Sequence, residues 1–159
     1  MTRVFLGLGS NVGDKEKNIH EALHLISQFC TIKKTSHLYL TEPVGRIKQE
    51  WFLNCAVEIE TKINTEELLL ILKSIERKLG RKKTVKNGPR SIDIDILFYA
   101  DSVVKTKNLV IPHPLILERL FVLQPLMDLD PHFIHPTQKK SIQELIKSRH
   151  FVETIRLYK

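Results

Sequence analysis

Ser91-Ile92-Asp93-Ile94-Asp95-Ile96-Leu97-Phe98 is the stretch that decides how this chain is read. Polar and apolar residues alternate up to Leu97, the period of a half-buried strand. Residues two apart on a strand share a face, so Asp93 and Asp95 project into one patch. Ile92, Ile94 and Ile96 point the other way and supply the burial that holds the strand. Two adjacent carboxylates repel unless a cation lies between them, and hard oxygen donors suit Mg2+. Just upstream, Arg77 to Arg90 carries seven basic residues and no acidic one. That stretch accounts for the whole net charge of +7, because Lys and Arg elsewhere balance the 18 acidic residues. Carboxylates for metal beside cations for phosphate point to an enzyme that handles a nucleoside triphosphate. A chain neutral outside one local anion site does not read as a general nucleic-acid coat.

Working outward, Arg3 to Gly9 reads as a strand closed by the turn signal Gly-Ser-Asn-Val-Gly-Asp. Ile19, Ala22, Leu23, Ile26 and Phe29 recur at helical spacing and predict a helix from Lys15 to Phe29. Thr31 to Leu40 is β-rich, and Phe52 to Glu60 alternates as a further strand. Asn64-Thr-Glu-Glu caps a helix running through Leu68, Leu72, Ile75 and Leu79 to Gly80. Beyond the aspartate strand, Val103-Val104 and Leu109 to Ile111 can pair as a short hairpin. Leu115 to Leu120 and Ser141 to Ser148 read as short helices. The order β-α-β-β-α-β predicts an α+β fold, an antiparallel-rich sheet with helices packed on it.

The 159 residues suit one domain, spanning 1–159. The apolar run Val4 to Leu8 is too short for a signal sequence or a membrane span. Cys30 and Cys55 lack metal-type spacing and read as buried thiols of a reducing cytosol. A cytoplasmic protein with no membrane or nucleic-acid partner is expected; a monomer is expected too, although the sequence itself does not give the oligomeric state.

Smaller motifs are weaker. His20-Glu21-Ala22-Leu23-His24 matches a zinc-protease pattern, but both imidazoles fall opposite the core stripe and no third ligand follows. Gly7 to Gly13 lacks the spacing of a dinucleotide loop and the Lys-Ser/Thr of a P-loop, so it reads as a tight turn in which Asn11 caps the helix or lines a site. Glu42-Pro43-Val44-Gly45 leads into Trp51-Phe52-Leu53-Asn54, where Phe52 and Asn54 share a face that suits a flat heterocycle. Alone, Phe52 reads first as ordinary core. Pro112-His113-Pro114, with Arg119 and Phe121 after it, is either a rigid phosphate contact or a plain turn.

Taken together these residues resemble the 6-hydroxymethyl-7,8-dihydropterin pyrophosphokinase family. The resemblance rests on Gly-Leu-Gly-Ser-Asn, Pro43-Val44-Gly45, Phe52-Leu53-Asn54-Cys55-Ala56 and Gly80-Arg81. It continues through Gly88-Pro89-Arg90-x-x-Asp93-x-Asp95-Ile96-Leu97, Ile111-Pro112-His113-Pro114 and Arg119-x-Phe121-Val122-Leu123-x-Pro125-Leu126. It implies a ferredoxin-like fold and transfer of pyrophosphate from ATP to the hydroxymethyl group of a reduced pterin, releasing AMP. Asp93 and Asp95 would hold two Mg2+ ions. Arg81, Lys83, Arg90 and Asp95 would be catalytic, and Lys73, Glu76, Arg90, Ile96, His113 and Arg119 would line the nucleotide. Thr41, Pro43, Val44, Phe52, Asn54 and Phe121 would hold the pterin, with the two phenylalanines as its sandwich. The loop Arg81-Lys-Lys-Thr-Val-Lys-Asn departs from the family in lacking an aromatic and a second arginine. Lysine has no bidentate fork, so weaker closure over the substrates is expected, not loss of the reaction. A catalytically silent relative that binds nucleotide or pterin is the first alternative, and a nucleic-acid-binding module the second.

Overall fold

The computed structural model describes residues 1–43, 48–80 and 90–159. In chain order the elements are β1 (Thr2–Ser10), α1 (Lys15–Ser27), β2 (Thr31–Thr35), β3 (Tyr39–Thr41), β4 (Phe52–Thr61), α2 (Thr65–Lys78) and β5 (Asp93–Tyr99). They continue with β6 (Val104–Lys105), β7 (Val110–Ile111), a 3-10 turn (Ile116–Glu118), α3 (Leu120–Leu129), α4 (Ile142–Lys147) and β8 (Ile155–Leu157). The main sheet runs β5-β1-β4-β3-β8, with β2 also on β4 and every pairing antiparallel. This is the expected α+β, ferredoxin-like arrangement: the β-rich stretch after α1 forms two short strands, both paired with β4, and β6 and β7 make the predicted hairpin.

Alternation divides the sheet into two faces. Val4, Leu6 and Leu8 of β1, Leu53, Cys55, Val57 and Ile59 of β4, and Ile94 and Ile96 of β5 face one core. α1 covers it with Ile19, Ala22 and Ile26, and α2 with Leu68, Leu72 and Ile75. Each such side chain contributes about 1.5–3 kcal/mol by leaving water. Asp14 and Asn64 cap these helices through their side chains, and Gly80 follows α2 at φ +87°. That conformation is cheap only for glycine. On the opposite face Phe5, Ala56, Leu97 and Phe98 pack against α3 and α4. Pairing passes from Leu6↔Ile96 to Phe5↔Phe98, so Leu97 is an extra residue, and the bulge turns both Leu97 and Phe98 toward α3. The alternation breaks at Leu97 for that reason.

The structure departs from the expected elements at three places. α1 stops at Ser27, and Phe29 lies beyond it, half exposed, outside the core. The helix expected over Leu115 to Leu120 is only a 3-10 turn; the true helix is α3, which follows it and contains Pro125. β8 was not expected, and it lies at the sheet edge beside β3.

Candidate active site

α3 and α4 cover only part of their face of the sheet. What remains is a cleft lined by Gly7, Gly9, Thr41, Phe52, Asn54, Arg90, Asp93, Asp95, His113, Arg119 and Phe121, among others. Its floor comes from strand register. Gly9 lies between Asp93 on β5 and Asn54 on β4, and Gly7 lies between Asp95 and Ala56. The two glycines leave the floor bare, so side chains from both neighbouring strands converge over β1. A Cβ on Gly9 would come closer than 3.0 Å to Asn54 Oδ1, so glycine is required there for the carboxamide to sit as it does.

One end of the cleft is aromatic and amide-bearing. Phe52 and Phe121 line it, and Asn54 Nδ2 donates to Thr41 Oγ1 at 2.6 Å. Thr41 and Asn54 are both buried, so this bond fixes the carboxamide before any ligand arrives.

The other end is charged. Asp93 and Asp95 emerge side by side from β5, as the period-two reading predicts. Burial first, then the negative charges of Asp93 and Glu76, pushes the Asp95 carboxyl up to about 7. About a third of that side chain remains accessible from the cleft, so the group is reachable although desolvated. Lys73 and Arg119 offset only part of that shift, and two hard oxygen donors beside a phosphate site fit Mg2+. Among the described residues no set of three or more His, Cys, Asp or Glu side chains is placed to hold a metal. Mg2+ commonly takes one or two carboxylates and completes its shell with phosphates and water.

His113 Nδ1 accepts from the Leu115 amide at 3.2 Å, which places the neutral ring's proton on Nε2. Nε2 faces Asp95 Oδ2 at 3.9 Å. Burial, and next the Arg119 charge, lowers the His113 pKa, against an opposing pull from Asp93, so the ring is a neutral N–H donor aimed into the cleft. The Arg119 guanidinium lies 5.4 Å from the centroid of the Phe121 ring. Arg90 is held through its backbone: its N–H donates to Asn11 Oδ1 at 2.7 Å, and Asn11 N–H donates to Arg90 O at 2.9 Å. Asn11 Nδ2 also donates to Gln49 Oε1 and to the Glu50 carbonyl. Asn11 is thus the buried post that ties Arg90 to the approach to β4. The cap of α1 is Asp14. The place of Asn11 in a dense turn allowed either role, but only the fold brings residues 49, 50 and 90 to it.

Not every expected residue lines the cleft. Glu76 is buried on the α2 side of β5, where it accepts from the Ile94 amide at 2.8 Å and lies 3.6 Å from Lys73 Nζ. It acts on the site as a negative charge behind Asp95. Ile96 points into the α1–α2 core, leaving only its backbone near the cleft, and Pro43 lies outside the lining. Val44, Arg81, Lys83 and Gly88-Pro89 fall outside the described residues. His20 and His24 lie on the exposed side of α1. Cys30 and Cys55 are free and buried; burial pushes the Cys55 thiol up to about 12, which makes it inert.

An α+β sheet that presents paired carboxylates, a histidine and two arginines beside an aromatic slot fits the class of phosphoryl-transfer proteins. The model of the family 7,8-dihydro-6-hydroxymethylpterin-pyrophosphokinase (HPPK) matches residues 5–131. The 2-amino-4-hydroxy-6-hydroxymethyldihydropteridine pyrophosphokinase of Aquifex aeolicus is 43% identical over 144 residues, covering 91% of this chain and 90% of that protein. The folic acid synthesis protein FOL1 of Dictyostelium discoideum is 46% identical over 134 residues, 84% of this chain but only 20% of that longer protein. The solved HPPK-DHPS of Plasmodium falciparum superposes on 93% of this chain and 43% of its own, with a TM-score of 0.73 at 21% identity, a likeness of fold. The chain belongs to the HPPK family. It is accordingly an ATP-dependent pyrophosphokinase that transfers pyrophosphate from ATP to hydroxymethylpterin in folate biosynthesis.

Proposed function

We propose that this cleft carries out the family reaction with its aromatic end holding 6-hydroxymethyl-7,8-dihydropterin and its charged end holding ATP. The observation that carries this is the convergence of Asp93 and Asp95 with Arg90, His113 and Arg119 beside Phe52 and Phe121. The phenylalanine rings stack on the two faces of the pterin. Thr41 and Asn54 read its edge through the donor and acceptor positions their mutual bond leaves over. Arg90, Arg119 and the Nε2–H of His113 bind phosphate oxygens, the arginines with their forked donors. That grip brings the β-phosphorus in line with the hydroxymethyl oxygen. The new O–P bond forms as the hydroxyl gives up its proton to water and the bond between the β-phosphorus and the α-phosphate oxygen breaks, and AMP departs with that oxygen.

Asp93 and Asp95 hold two Mg2+ ions, which when bound supply positive charge to the triphosphate. Glu76 fixes β5 through the Ile94 amide and adds negative charge that strengthens the metal site. Arg81 and Lys83 bind phosphate, while Lys73, paired with Glu76 outside the cleft lining, and the Ile96 backbone add to the nucleotide side. Pro43, outside the cleft lining, and Val44 keep the pterin-binding role that family membership suggests for them. The chain acts as a cytoplasmic monomer; among the described residues no helix is long and apolar enough to cross a membrane.

Asp95→Ala tests the reading: Mg2+-dependent ATP binding and turnover should both be lost while the fold is kept. Retained turnover would sink the metal assignment. Lost turnover with intact pterin binding in the unaltered protein would favour a silent relative.

A further inference from the structure

The segment after α4 lies beyond the residues the family model matches, yet it touches both walls of the aromatic slot. On one side, β8 pairs with β3 so that Ile155 lies opposite Thr41. Glu42 N–H donates to Thr154 O at 3.1 Å, and Thr154 N–H donates to Glu42 Oε1 at 3.2 Å. The Arg156 guanidinium lies 5.1 Å from the Trp51 ring, next to Phe52. On the other side, Glu153 Oε1 accepts from the Leu120 amide, at the first turn of α3 between Arg119 and Phe121.

That last contact answers a local problem. The N-cap position of α3 is Arg119, which makes no side-chain cap and places positive charge at the positive pole of the helix dipole. An ordinary Ser, Thr, Asn or Asp cap would solve this but would remove the guanidinium from the cleft. Glu153 supplies acceptor and negative charge from a distance in sequence, which leaves Arg119 free for phosphate.

We infer that residues 153–156 form a strap that sets the width of the pterin slot, with Glu153 as the positioning residue for Phe121. The inference rests on the assignment of Phe52 and Phe121 to the pterin. Glu153, Thr154 and Ile155 can span at most about 10 Å of extended chain, so the wall carrying Phe121 is tethered to the wall carrying Thr41 and Phe52. A phenyl ring follows its backbone closely because it has only two side-chain torsions. The longer Arg119 side chain can reach its phosphate again after a small backbone shift. Loss of the tether therefore acts on pterin binding first.

The test measures KM for hydroxymethylpterin and for ATP, kcat and melting temperature in Glu153→Ala, Glu153→Gln and Phe121→Ala. Glu153→Ala should raise the pterin KM about tenfold, the scale of a small misplacement, with ATP KM and kcat within about twofold. Glu153→Gln keeps an acceptor oxygen and should restore most of the loss. If Phe121→Ala raises the pterin KM but neither Glu153 variant does, the strap is overturned and the slot stands. The strap is also overturned if ATP KM rises as much as pterin KM. If Phe121→Ala leaves the pterin KM unchanged, the slot assignment falls and the strap with it.

Discussion

Gly9→Ala adds one methyl group to the floor of the cleft. Gly9 is in a regular strand and its φ is not positive, so alanine adds no backbone strain and the effect comes from the methyl alone. That methyl would overlap Asn54 Oδ1, forcing the carboxamide to turn and breaking its 2.6 Å bond to Thr41. Both partners are buried, so an unpaired amide and hydroxyl cost about 1–3 kcal/mol together. In a domain of this size that lowers the melting temperature by about 2–10 °C. The turned amide also no longer presents its donor and acceptor to the pterin, so the pterin KM should rise about ten- to a hundredfold. ATP KM should hold, because the phosphate groups hang from β5, the His113 turn and α3. Thermal melts with separate pterin and ATP titrations check this. Gly7→Ala is the control for the fold: its methyl would first meet the Leu97 side chain, at an ordinary 3.4 Å, and should cost less than about 1 kcal/mol. A Gly9→Ala protein with unchanged melting temperature and pterin KM would refute the account of the cleft floor.

Glu76→Ala should cost about 1–3 kcal/mol in a denaturant titration by orphaning the Ile94 amide, and Glu76→Gln, which keeps an acceptor, should cost less. Without metal, the folded-state pKa of Asp95 lies above its ordinary value of 3.8, near about 7. The folded state then binds the proton more tightly than the unfolded state, and stability falls as pH rises between those values. Denaturant midpoints at pH 5 and pH 8 should differ in that direction, and the difference should shrink with Mg2+ and in Asp95→Asn. His113→Ala should raise ATP KM about tenfold and leave pterin KM alone, because it removes one phosphate donor.

The strand of paired aspartates was legible because its alternation is strict and its bulge comes only at Leu97. The α1 helix was legible from its one-sided apolar stripe, and α2 from its stripe and its Asn64 cap. α3 was not, because Leu-Phe-Val-Leu-Gln-Pro-Leu-Met-Asp-Leu is apolar nearly all round and carries a proline, so neither period nor propensity marks it. β8 has three residues and exists through its pairing with β3, a long-range condition that leaves no local pattern. In the site, Phe52 with Asn54 and Asp93 with Asp95 could be paired from spacing. The joining of those pairs across β1 could not, because it depends on two glycines whose register only the sheet supplies. Asn11 holding Arg90, and Glu153 holding the first turn of α3, are bonds between segments far apart in sequence.

The most direct test incubates the protein with ATP, Mg2+ and 6-hydroxymethyl-7,8-dihydropterin and follows the nucleotide products. The account predicts AMP and pterin diphosphate in equal amounts, dependent on both pterin and Mg2+ and lost in Asp95→Ala. ADP as the product, AMP formed without pterin, or full turnover in Asp95→Ala would contradict it.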